Sequence, residues 1–194
     1  FVRAYGTNNL PDCSNMCHES SGVALSHTVG IGKGSVTLSD LHEAEVIMIM
    51  GQNPGTNHPR MLGALEKCKE NGGKIITVNP LPEAGLLNFI DPQSPKRIVQ
   101  GGVSLTDIFV PVKVNGDVAF LKAVMLKLAA KEEENPGSVF DWNFIENYTD
   151  GFDEFLADLK SSNLKECIDN SGVEESTIDQ VAAMMANNEK IIIC

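Results

Sequence analysis

Cys17 and His18 stand side by side in a polar, turn-rich segment, Tyr5 to Ser21, which runs into a short helical stretch from Ser21 to Thr28. A cysteine at a helix N-terminus beside a histidine has its thiolate favoured by the helix dipole and by a neighbouring cation, and a thiolate is both a nucleophile and a soft metal ligand. Cys13 and Cys17 are spaced Cys-x-x-x-Cys with no second pair, so a zinc or iron–sulfur site would lack ligands within this chain. A second group, Gly51-Gln52-Asn53-Pro54-Gly55-Thr56-Asn57-His58-Pro59, follows the apolar run Val46 to Met50 and precedes a helical pattern. Such a strand-to-helix crossover is where α/β proteins bind phosphate-bearing ligands. Gly51 and Gly55 admit backbone angles and close approaches that a Cβ would block, while Asn53, Thr56 and Asn57 supply neutral donors for phosphate or ribose oxygens. Pro59 suits the first turn of the following helix. The loop matches neither Gly-x-Gly-x-x-Gly nor the P-loop pattern. The bland alternatives are a ligand-free turn and a structural histidine at His18.

These residues must be held by a frame, and the apolar pattern supplies one. Glu45 to Met50 and Lys74 to Val78 read as strands flanking a helix whose apolar face is Met61, Ala64, Leu65 and Cys68, a βαβ unit in which Cys68 belongs to the core. Asn71-Gly72-Gly73 stops that helix. After Asn79-Pro80-Leu81-Pro82-Glu83 the chain makes an excursion of weak periodicity. A third strand is expected over Phe109 to Val114, then a helix with Val118, Leu121, Val124, Met125 and Leu128 on one face. Glu132-Glu133-Glu134 is expected to end that helix and open a solvated loop. Helices are expected over Trp142 to Tyr148 and Phe152 to Lys160, with the aromatics Phe140 to Phe155 as packing groups. A last amphipathic helix carries Ile178, Val181, Ala182 and Met185, with Ser176 and Asp179 resembling a capping box. The expected fold is α/β, a parallel-sheet, Rossmann-like αβα domain. Its expected organisation is residues 1–44 carrying Cys17-His18, an α/β dinucleotide-binding core over 45–135 with an insertion at 82–108, and a helical extension over 136–194 returning to a last strand.

Composition excludes several classes. The 194 residues carry a net charge of −11, against broad nucleic-acid binding, which needs clustered Lys and Arg. No apolar run approaches membrane-spanning length, so a soluble protein without a membrane span is expected. Five cysteines scattered at 13, 17, 68, 167 and 194 do not form a disulfide framework and suit a reducing, cytoplasmic compartment. The chain opens on Phe1-Val2-Arg3 and closes on Ile191-Ile192-Ile193-Cys194, an apolar run read as a strand, so a piece of a longer polypeptide is expected.

Taken in order, Thr7-Asn8-Asn9, Cys17-His18, Gly30-Ile31-Gly32-Lys33-Gly34, Gly51-Gln52-Asn53-Pro54 with His58-Pro59, and Asn79-Pro80 resemble the molybdopterin oxidoreductase family, especially formate-dehydrogenase-like alpha subunits of the branch associated with acid resistance. The resemblance covers nearly the whole chain. It implies that Cys17 ligates molybdenum and that His18 assists proton transfer, as catalytic residues, and soft thiolate ligation agrees with that chemistry. It further implies that Gly51, Asn53, Pro54, Thr56 and Asn57, with Asn79, Pro80, Leu81 and Asp117, hold the guanine dinucleotide of one pterin of a bis-molybdopterin guanine dinucleotide cofactor. The family loop usually reads Asp-Pro-Arg where this chain has Asn79-Pro80-Leu81, which changes how the guanosine end is held. The chain is thus expected to be a segment of a molybdenum oxidoreductase, inactive alone. Its implied partners are the remaining domains of the same polypeptide, a small-molecule substrate and an unidentified redox partner, with any 4Fe-4S cluster outside this segment.

Two readings compete. A non-catalytic nucleotide-binding domain, like the central domain of thiamine-diphosphate enzymes, explains Gly51 to Pro80 but leaves Cys17-His18 without a purpose. A thiol-based redox or interaction module explains Cys13 and Cys17 but wastes the loop.

Overall fold

The computed structural model describes residues 1–10, 17–93 and 95–194, so Cys13 lies outside the described residues. These form two compact units, 1–37 and 38–194.

The first unit is built on helices α1 (Val2–Tyr5) and α2 (Glu19–Thr28). No described residue of either helix is buried. Inside α2, Ser26 and Thr28 return their hydroxyls to the carbonyls of Gly22 and Ala24. The glycine run folds back on this helix: a Cβ at Gly32 would stand 3.0 Å from the Gly22 carbonyl oxygen. Only a glycine fits there without displacing the backbone opposite.

The second unit is a four-stranded parallel sheet between two layers of helices. It begins with α3 (Leu38–Glu43), β1 (Val46–Met50), α4 (Pro54–Asn57), α5 (Pro59–Glu70) and β2 (Lys74–Val78). Next come α6 (Ala84–Leu87), α7 (Pro95–Gln100), β3 (Ile108–Val110) and the long α8 (Asp117–Glu134). It closes with α9 (Trp142–Tyr148), α10 (Phe152–Ser161), α11 (Leu164–Ser171), α12 (Glu175–Ala186) and β4 (Ile191–Ile193). Strand order is β3-β2-β1-β4, every pair parallel.

The central strand β1 is apolar at all five positions because both of its faces are covered, as parallel sheets require. Side chains alternate across the sheet. Val46 and Met48 join Ile76, Val78, Phe120 and Ile178 under α8 and α12, whereas Ile47 and Ile49 join Leu65, Cys68 and Ile75 under α5. The expected αβα architecture is therefore present. The excursion between β2 and β3 is pinned to the second of these cores by Leu86 and Leu105, both buried.

Several local expectations need correction. The third strand is Ile108–Val110 and does not reach Val114, since Pro111 has no N–H to continue the ladder and Val114 is exposed. In α8 the buried side chains are Phe120, Ala123, Val124, Ala129 and Glu132; of the expected face Val124 is buried and Leu121 and Leu128 pack against the core, while Val118 faces out at 69% exposure. The apolar stripe is wide enough to be read two ways, and the sheet selects the face carrying the largest ring. The expected capping box is absent because α12 begins at Glu175, which puts Ser176 inside its first turn, and Asp179 pairs instead with Lys127 at 2.9 Å.

The acidic run ends α8 at Glu134 and opens an exposed stretch as expected, but Glu132 itself is buried. Its carboxylate accepts the backbone N–H groups of Gly137, Val139 and Phe140 and the Trp142 indole N–H. These donors, Gly137 foremost, hold its carboxyl well below the usual range, at about 2, against the opposing effect of burial. A glutamate in the last turn of α8 thus ties the α8–α9 connection, and Phe140, Trp142 and Phe152 pack edge-to-face beside it as expected of packing aromatics.

Candidate functional site

Parallel pairing brings the carboxyl ends of β1, β2 and β3 to one edge of the sheet, and the three loops singled out in the sequence leave from that edge: Gly51–Asn57, Asn79–Leu81 and the approach to Asp117. Because β4 lies on the other side of β1, the Gly51 loop departs where strand order reverses, the position at which open α/β sheets bind ligands. The ladder runs to the loop itself, with the Gly51 N–H donating to Val78 at 3.0 Å and the Asn79 N–H to Val110 at 3.1 Å.

Gly51 has φ of 69°, a left-handed turn that explains the glycine. Asn53 caps α4 through Oδ1, which accepts the Thr56 N–H at 3.2 Å. Its amide Nδ2 donates to Glu83 Oε2 at 2.5 Å. Asn53 therefore organises two loops. Gly55 and Gly85 touch below this bond: a Cβ on Gly55 would lie 3.4 Å from the Gly85 Cα. Pro54 is buried, Thr56 and Asn57 are exposed, and Pro59 takes the first position of α5 as expected. Asn79 is buried and its Oδ1 accepts the Leu81 N–H at 3.1 Å, closing a side-chain turn that leaves Leu81 69% exposed. Asp117 is the first residue of α8 and half-buried. Glu83 is a member of this edge that sequence reasoning passed over; its signal is an acid placed shortly after the second strand of a βαβ unit.

Cys17 and His18 belong to the first unit. Cys17 is an exposed free thiol in the turn before α2, and His18 is the residue preceding that helix. Among the described residues no three His, Cys, Asp or Glu side chains converge to hold a metal. The donor set here is one accessible soft sulfur, which fits a metal whose other ligands come from an organic carrier and does not fit an all-protein zinc or iron–sulfur site. The other described cysteines are less available. Burial pushes the Cys68 and Cys194 thiols up, and Cys167 is buried.

A cleft of about 820 Å³ lies at the opposite, amino-terminal edge of the sheet, lined by His42, Glu45, Gly73, Lys74 and Asp107 among others. Its charges serve the fold: Asp107 pairs with Lys69 and accepts the Ile75 N–H, and Glu45 accepts the Glu189 and Lys190 N–H groups. The three loops lie at the other end of the strands.

Known proteins share this fold. No protein-family model matches the chain. Over all 194 residues it is 50% identical to an uncharacterised oxidoreductase of Mycobacterium tuberculosis and 27% identical to formate dehydrogenase H of Escherichia coli, covering 25% and 24% of them. Acetylene hydratase from Pelobacter acetylenicus superposes with a TM-score of 0.68 at 19% identity, over 99% of this chain and 23% of that one. The chain spans about a quarter of the length of the curated relatives it matches. The fold is α/β, and it matches one segment of larger proteins, several of them named oxidoreductases. More particularly, the relatives it resembles include a formate dehydrogenase, in line with the family resemblance carried by its motifs. Among the described residues no helix is long and apolar enough to cross a membrane.

Proposed function

We propose that this segment provides one metal ligand and one nucleotide-gripping edge of a molybdenum bis-molybdopterin guanine dinucleotide oxidoreductase. The observation that carries the reading is the convergence of the Gly51, Asn79 and Asp117 loops at the carboxyl edge of a parallel sheet, at its switch point. Gly51, Asn53, Pro54, Thr56 and Asn57 form the turn that receives the dinucleotide, with Thr56 and Asn57 as accessible neutral donors. Asn79, Pro80 and Leu81 shape the neighbouring wall, and Asp117 presents an acceptor suited to N–H groups of the base. Cys17 ligates the metal and His18 holds or moves a proton beside it. When bound, the cofactor supplies the two-electron redox chemistry, and the protein supplies binding, orientation and proton handling. Substrate and redox partner meet the remaining domains of the polypeptide, so the segment alone does not turn over. Scattered cysteines, free at 17, 68, 167 and 194 among the described residues, fit a cytoplasmic setting.

The test is metal and nucleotide analysis of the full-length protein. Wild type is expected to contain molybdenum and to release GMP on acid hydrolysis, and Cys17→Ser is expected to keep the GMP while changing the metal's X-ray absorption spectrum by loss of one sulfur ligand. An unchanged spectrum removes Cys17 from the site. Nucleotide without molybdenum supports the non-catalytic nucleotide-binding reading instead.

A further inference from the structure

We propose that Glu83 binds the ribose hydroxyls of the nucleotide at this edge, an assignment that rests on the nucleotide reading above. Glu83 is half-buried between the Gly51 and Asn79 loops, and its Oε2 is fixed by the Asn53 amide at 2.5 Å. That amide is itself locked, because its oxygen is committed to the Thr56 N–H at 3.2 Å. The carboxylate is therefore oriented by a capped loop, and among the described residues Oε1 has no hydrogen-bond partner. The contact of Gly55 with Gly85 keeps the two loops together and leaves no side chain of their own between them.

An ionised carboxylate accepts hydrogen bonds and donates none, so it repels a phosphate and attracts a hydroxyl. In open α/β sheets an acid following the second strand, beside the first glycine turn, accepts the ribose hydroxyls of a bound nucleotide. Glu83 meets both conditions: it follows β2 and it is bonded to the glycine turn after β1. The same charge sends the phosphates toward the neutral donors of Thr56 and Asn57. Glu83 thereby sets which end of the ligand lies over which loop.

The measurement is binding of GDP and of 2′,3′-dideoxy-GDP to the full-length protein purified from cells unable to make pterin. A charge-assisted hydrogen bond to a hydroxyl predicts that wild type prefers GDP by about tenfold. Glu83→Ala is expected to bring that ratio to about one. Glu83→Gln, which keeps an acceptor for Asn53 but no charge, is expected to leave an intermediate ratio of about threefold. Should Glu83→Ala unfold, as thermal melting would show, the Gln variant carries the comparison. Equal binding of the two nucleotides by wild type, or a full preference retained in either variant, overturns the role of Glu83. Wild type that binds neither nucleotide overturns the nucleotide reading, and this inference with it.

Discussion

Phe120 and Val118 sit two residues apart on the helix that begins with Asp117, and the structure assigns them opposite roles. Phe120 is fully buried in the same core cluster as Val46, Met48, Ile76 and Val110, whereas Val118 is 69% exposed. Phe120→Ala empties a ring-sized space in a close-packed interior, at a cost of about 3–5 kcal/mol. Val118→Ala removes two methyl groups already in water and is expected to stay within about 0.5 kcal/mol. For a unit of this size the first change corresponds to a fall in melting temperature of about 6–20 °C. A polypeptide as long as the relatives need not unfold in two states, so the better assay is native-state hydrogen exchange at the β1 amides. Faster opening there in Phe120→Ala, with near-wild-type exchange in Val118→Ala, is expected. Because Asp117 lies one turn before Phe120, the same variant should also hold less nucleotide. If Val118→Ala matched or exceeded Phe120→Ala, the face assigned to this helix would be wrong, and with it the placement of Asp117 at the sheet edge.

Other expectations follow from single contacts. Gly73→Ala would drive a Cβ to within 2.7 Å of the Ala44 carbonyl oxygen and against the Cys68 sulfur, so it should destabilise the α5–β2 turn by about 1–3 kcal/mol, read by exchange at the β2 amides. Glu132 has a folded value of about 2 against an ordinary 4.5, so its contribution is complete above about pH 4.5 and drains away as pH falls toward 2. Emission from Trp142, isolated by comparison with Trp142→Phe, should change across that window in wild type and lose the transition in Glu132→Gln; an identical acid transition in both would dissociate the carboxylate from the loop.

How much of this molecule is legible in its sequence depends on the range of the forces involved. The βαβ unit from Val46 to Val78 and the Gly51 turn were readable because strand and helix periodicities, a Pro at a helix start and a Gly at a left-handed turn are local choices of a few residues. The residues singled out after β1, β2 and β3 also proved to share one edge, which follows once the strands are taken as parallel. Tertiary packing decided the rest. Which stripe of α8 faces inward depended on the shape of the sheet opposite, since Val118 and Phe120 are both apolar. The burial of Glu132 depended on a loop folding back to offer it four donors, information spread over Gly137 to Trp142. The bond from Asn53 to Glu83 joins residues thirty positions apart and exists only because two glycines let their loops touch. Local patterns recorded which elements form and which loops leave the carboxyl ends of the strands; long-range contact alone determined which side chains hold that edge in place.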